Sequence, residues 1–197
     1  MNPSTQKKKG RLIVLSAPAG TGKTTLVHML EKEFPDQIRR SISCTTREAR
    51  KGEIDGRDYV FLTSSAFRER VERGDFLEHA TVFDHHYGTL KQLVESQRKE
   101  GKHIILVIDT QGALELKRKV EALYIFIAPP SMEVLEERLR NRKTESAETL
   151  KKRLKWAQYE MNQANHYDYV IINDDLETAY AELKNIVIAK GEHHDKR

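Results

Sequence analysis

The sequence predicts an α/β fold, a doubly wound parallel sheet flanked by helices, with an inserted mixed α+β lobe and a helical lid. Three observations predict it. Short apolar runs at Leu12 to Ser16, His103 to Asp109, Tyr124 to Ala128 and Tyr169 to Asn173 have the length and composition of buried strands. Helical stretches separate these runs, and that alternation calls for a parallel sheet wrapped by helices. The segment from Ser41 to about Gly88 breaks the rhythm, with turn signals at Lys51-Gly52 and Asp55-Gly56 and strand-like alternation around Tyr59 to Leu62.

A chain of 197 residues suits one domain with a single core. Residues 1–10, with the Lys7 to Lys9 run, read as a flexible basic tail, and 191–197 as a second tail. The domain between them, 11–190, divides into a core of 11–42, 89–131 and 156–190, a lobe of 43–88 and a lid of 132–155. One cysteine, Cys44, allows no internal disulfide, so a reducing cytoplasm is the expected compartment. The apolar runs are too short to span a bilayer, so no membrane partner is expected. A net charge of +4 with 32% charged residues describes a solvated surface. Without a helix-turn-helix, zinc-finger or RNA-recognition pattern it implies no nucleic acid partner. Monomer and homodimer both remain open.

The first strand runs into the most informative segment. Ala17-Pro18-Ala19-Gly20-Thr21-Gly22-Lys23-Thr24 matches the P-loop pattern at every defined position except the first, where Ala17 replaces glycine. Apolar residues at Leu26, Val27, Leu30 and Phe34 then repeat at helix spacing. Backbone N–H groups and the helix start therefore converge where an anion sits, with Thr25 completing the segment. Lys23 is placed to reach the β- and γ-phosphates of a nucleoside triphosphate, and the Thr24 hydroxyl to ligate the Mg2+ that arrives with it, a pattern that leaves hydrolysis, switching and transfer open. Ala17 is compatible with the loop only if its φ is negative.

A carboxylate is expected at the end of a neighbouring strand, near magnesium and phosphates. Asp109, ending the run from Ile104 to Ile108, fits that place and equally fits a helix cap.

The inserted segment supplies the second anion site. Arg47 and Arg50, three apart beside Ser43, Thr45 and Thr46, can clamp one phosphate with paired charge-assisted hydrogen bonds, and Tyr59 adds a phenolic donor. That combination reads as a monophosphate site. The pattern Thr45-Thr46-Arg47, Arg50, Gly52-Glu53, Gly56, Asp58-Tyr59, Phe61, then Phe76-Leu77-Glu78, then Tyr87-Gly88-Thr89, resembles the acceptor lobe of guanylate kinases. With the P-loop, Ile108 to Gly112 and Val170 to Leu176, the similarity covers nearly everything between Arg11 and Lys190.

The resemblance implies ATP and GMP as partners and direct in-line transfer. It implies that Ser43, Arg47, Arg50, Tyr59 and Tyr87 surround the GMP phosphate and that Glu78 and Thr89 read guanine. A carboxylate and a hydroxyl suit a base that offers donors at N1 and N2. Asp109 also approaches the acceptor side. In the lid, Arg138 and Arg142 share a helix face and Arg153 follows the polar stretch Lys143 to Ser146. By resemblance Arg142 and Arg153 meet the ATP phosphates, Arg138 supports them and Asn173 lies near adenine. The catalytic set is then Lys23, Arg47, Asp109, Arg142 and Arg153.

The chain departs from the family pattern in places. Val107 stands where relatives often carry an acid, Ala49 where they carry proline, and Asn141 and Lys143 where they carry lid glycines. His85 and His86 replace a Gly-Asn and apolar pattern and read as loop residues, without a third ligand for a metal.

Overall fold

The computed structural model describes residues 8–82, 84–141 and 147–189. The expected tails, apart from Lys8 to Gly10, lie outside the described residues, as do Arg142 and the polar stretch behind it. At the start of the described chain, Gly10 N–H donates to Arg98 O and Lys9 pairs with Glu95.

The core sheet is built from β1 (Leu12–Ser16), β2 (Ile38–Arg40), β7 (His103–Val107), β8 (Leu123–Ala128) and β9 (Tyr169–Ile172). Its order is β2-β7-β1-β8-β9, and every pairing is parallel. With β1 central, the chain winds outward on both sides. A crevice therefore opens at the carboxyl ends of β1 and its neighbours, where doubly wound sheets bind ligands.

Alternation along β1 divides the core. Ile13 and Leu15 pack with Leu26, Val27 and Leu30 of α1 (Lys23–Glu33) and with Ala179, Tyr180 and Leu183 of α7 (Leu176–Lys184). Leu12 and Val14 face the other way, with Val94 of α3 (Lys91–Lys99) and Ala113 and Leu116 of α4 (Thr110–Lys117). Both faces are apolar because helices cover both, as a parallel sheet requires.

A second, mixed sheet has the order β4-β3-β6-β5, from β3 (Cys44–Thr45), β4 (Val60–Phe61), β5 (Phe76–Val82) and β6 (His85–Leu90). The β5–β6 hairpin and the β3–β6 pair are antiparallel, whereas β3 and β4 run parallel. Its small core joins Cys44 and Phe76 to Phe67 of α2 (Ser64–Glu72), whose ring stacks on Phe76 at 4.6 Å.

Strand β2 was not expected, β8 starts one residue early at Leu123 and β9 ends at Ile172, and two further boundaries differ from expectation. His85 and His86 are strand residues of β6, not loop residues, paired with Val82 and Thr81 of β5. The hairpin turns at Asp84, a non-glycine residue with φ 66°, so no glycine marks the turn before them. The seventh strand stops at Val107, because Asp109 turns its side chain onto the next helix. Beyond β8 the segment expected as a lid holds two helices, α5 (Met132–Arg140) and α6 (Ala147–Asn162), and α6 continues past the expected lid boundary at 155.

Candidate active site

Between β1 and α1 the backbone curls around one point. Gly20 and Gly22 have φ of 95° and 86°, in the left-handed region. At Gly22 a Cβ would also stand 2.6 Å from Asn173 Nδ2, so glycine is required there on two counts. Ala17 is not among the positive-φ residues, which meets the condition its Cβ imposes. The loop is pinned from within by Thr21 Oγ1 donating to Pro18 O at 2.9 Å, and from β9 by Asn173 Nδ2 donating to Thr21 O at 2.6 Å. Lys23 Nζ donates to Ala17 O at 3.0 Å. Burial pulls the Lys23 pKa below the ordinary lysine value, against the opposing charges of Glu160 and Asp109.

One cavity of about 340 Å³ is lined by this whole loop, Ala17 through Thr25. On its far side stand Ser43, Arg47, Arg50, Tyr59 and Tyr87. Arg47 and Arg50 thus open on the same space as Lys23. Arg47 Nη2 lies 2.9 Å from both carboxylate oxygens of Glu53, and its guanidinium sits 5.4 Å from the Tyr59 ring centroid. Glu53 also accepts from Arg50 N at 2.7 Å, so one acid organises both arginines. Burial opposes the Arg47 charge, but the Glu53 carboxylate and the Tyr87 hydroxyl outweigh it and hold the pKa above its ordinary value.

Glu78 lines the cavity from β5 and is buried. Thr89 Oγ1 donates to Glu78 Oε1 at 2.6 Å from the paired strand, behind the cavity wall. Burial first, with the nearby charges of Asp109 and Glu115, pushes the Glu78 pKa up to about 7, and the Thr89 hydrogen bond opposes the shift.

Asp109 caps a helix, as one of its sequence readings expects, and it also stands on the cavity wall. Its side chain caps α4, Oδ1 accepting from Gly112 N at 3.0 Å. Its Oδ2 is buried without a protein partner, and the residue lines the cavity. Burial raises its pKa above the usual carboxylate range.

The lid residues separate. Arg153 on α6 lines the cavity. Arg138 turns away, donating to the backbone carbonyls of Asn173 at 3.0 Å and Asp174 at 3.4 Å, where the end of β9 leaves free acceptors. Neither Arg138 nor Asn173 is among the cavity-lining residues. Arg142 lies outside the described residues. Val107 lines the cavity as an apolar group two residues before Asp109. Among the described residues, no group of three or more His, Cys, Asp or Glu could hold a metal ion.

The Guanylate kinase family model matches residues 9–190. The chain belongs to the guanylate kinase family. It is 54% identical over 190 residues to the guanylate kinase of Protochlamydia amoebophila (strain UWE25), covering 96% of each chain. It is 45% identical over 189 residues to that of Rickettsia felis (strain ATCC VR-1525 / URRWXCal2), covering 95% of this chain and 98% of the relative. The crystal structure of guanylate kinase from Anaplasma phagocytophilum superposes with a TM-score of 0.77 at 36% identity, over 96% of this chain and 89% of that one.

In this guanylate kinase family member, the motif reading included Glu53 without giving it a role, and it missed Trp156 and Glu160. Trp156 and Glu160 line the cavity beside Arg153. The signal lay in helix spacing, since residues 153, 156 and 160 fall on one face of α6. Tracking arginines alone passes over it.

Proposed function

We propose that this chain transfers the γ-phosphate of ATP to GMP, giving ADP and GDP. The observation that carries the reading is the single cavity lined on one side by the phosphate loop and on the other by Arg47, Arg50 and Tyr59. Two anion cradles in one space can hold a donor and an acceptor for in-line attack, with no covalent intermediate on the protein.

In this reading the loop N–H groups and Lys23 hold the ATP phosphates. Ser43, Arg47, Arg50, Tyr59 and Tyr87 hold the GMP phosphate. Ionised Glu78 accepts from the N1 and N2 donors of guanine, and the Thr89 hydroxyl fixes its carboxylate. Asp109 Oδ2, buried and unpartnered, offers an acceptor between the two cradles. Arg153, with Arg142, supplies positive charge where the equatorial oxygens of the transferred group develop theirs. Arg138 and Asn173 act from behind the loop, as supports. The Thr24 hydroxyl is exposed at the cavity, which suits a hard cation bound through oxygen. Mg2+ supplies charge neutralisation on the phosphates when it enters with ATP, and with Val107 apolar the phosphates and water provide most of its ligands. The reaction belongs to the cytoplasm, where Cys44 stays a free thiol.

A coupled ATP-consumption assay with GMP, AMP and a ribose phosphate tests the reading. ATP is consumed with GMP and not with AMP or the sugar phosphate. A purified, folded chain that consumes no ATP with GMP overturns the proposal.

A further inference from the structure

Glu160 belongs to none of the motifs, yet it is 4% exposed and lines the transfer cavity from the lid helix. A buried carboxylate on a helix of mostly exposed residues is costly unless other groups answer it. Two groups do so here. Thr110 Oγ1 donates to Glu160 Oε1 at 3.2 Å, and the Thr110 backbone N–H is directed at the same carboxylate. The Lys23 ammonium supplies the opposite charge.

We infer that Glu160 is a positioning residue for phosphoryl transfer, setting the Lys23 ammonium against the phosphate loop and fixing the first turn of α4 through Thr110. The inference rests on the ATP to GMP reading above. Lys23 donates to a neutral carbonyl, Ala17 O, so its buried charge is answered by carboxylates from two other elements, Glu160 on α6 and Asp109 at the head of α4. Thr110 follows Asp109 in sequence. A carboxylate that anchors Thr110 therefore also fixes where Asp109 Oδ2 faces the cavity. In this way the lid helix is tied to both cradles.

The groups facing Glu160 are Lys23 from α1, Asp109 and the Thr110 donors from the start of α4, and the Tyr167 hydroxyl between α6 and β9. Burial, then Asp109, raises the Glu160 pKa to about 7, while Lys23 and Thr110 oppose the shift. Its charged form is therefore complete well above that pH and is lost as pH falls through it.

Glu160→Gln keeps the size and an acceptor oxygen for Thr110, removes the charge and turns the other oxygen into an N–H donor. At about pH 8, with ATP and GMP saturating, kcat falls about tenfold while KM for GMP stays within about twofold. The wild-type kcat declines as pH drops through about 7; Glu160→Gln lacks this limb and Glu160→Asp retains it. In a Lys23→Met background, Glu160→Gln changes the residual kcat less than about twofold, as a residue acting through Lys23 must. Should Glu160→Gln not fold by circular dichroism, Thr110→Val carries the test, lowering kcat while keeping the acid limb. Full kcat in the folded Glu160→Gln, full kcat in Thr110→Val, or equal losses in both Lys23 backgrounds overturns the role of Glu160. A wild type inactive with GMP overturns the functional reading instead.

Discussion

At Gly112 a Cβ would lie 2.6 Å from Glu78 Oε2 and 3.1 Å from Asp109 Oδ1, closer than packed side chains approach. The bare Cα lets the carboxylate on β5 sit against the first turn of α4. Gly112→Ala displaces Glu78 or Asp109, and since Asp109 is held by the Gly112 N–H, Glu78 yields. The expected outcome is a KM for GMP raised about tenfold with KM for ATP within about twofold, read by steady-state kinetics on a variant with an unchanged circular dichroism spectrum. Protonation of Glu78 acts on the same contact. Its pKa is pushed up to about 7, chiefly by burial, and in the proposed reading the ionised form is the one that accepts from guanine. Falling pH removes the acceptor, so KM for GMP rises below about pH 7 and flattens above about pH 8, with the slope lost in Glu78→Gln. A KM for GMP that is constant across this range excludes an ionised Glu78 as the guanine reader.

Among the elements, the pair α5 and α6 shows how packing supports chemistry. Leu135, Leu139, Leu150 and Ala157 form a small core between the two helices, with Ala19 of the phosphate loop packed against it. At Gly20 a Cβ would meet Leu139 Cδ2 at 3.0 Å, so α5 backs the loop directly. Leu135→Ala is expected to cost about 2 to 5 kcal/mol of stability in urea unfolding and to raise KM for ATP more than KM for GMP, because the cavity it leaves lies behind the ATP side. An equal rise in both would show that α5 does not back one cradle selectively. Four of the five parallel strands and their helices were legible, because a strand covered on both faces is an uninterrupted apolar run, whereas the edge strand β2, Ile38-Arg39-Arg40, has no such run and was not read. Strand β4 lies within the alternation read around Tyr59 to Leu62, whereas β3, two residues long, carries no period to read. The start of β6 was misjudged because its turn uses Asp84 where a glycine signal would be sought. In the site, Lys23, Arg47 and Arg50 were legible because their chemistry is local in sequence. Glu160 was not, since its role depends on which face of α6 meets a lysine more than a hundred residues earlier.

Across the whole molecule, the two cradles belong to different sheets that share one cavity. The phosphate loop follows β1 of the parallel core, whereas Arg47, Arg50 and Glu78 belong to the mixed lobe. Each ligand should therefore stabilise the fold through its own contacts, and the two contributions should be separable by mutation. A ligand at a hundredfold excess over its Kd stabilises the native state by about 2.7 kcal/mol. For a domain of this size each kcal/mol moves Tm by roughly 2 to 4 °C, so either ATP or GMP alone raises Tm by about 5 to 10 °C. On the proposed reading Lys23→Met removes a contact to ATP phosphates and leaves the arginine cradle intact, so at the same ligand concentrations it is expected to lose most of the ATP shift and keep the GMP shift. Gly112→Ala keeps the ATP shift and, with GMP bound about tenfold more weakly, loses about half of the GMP shift. Thermal melts of the three proteins with each nucleotide separately give a crossed pattern if the cradles are distinct. If both variants lose both shifts equally, the cavity behaves as one undivided anion site, and the assignment of the lobe to the acceptor fails with it.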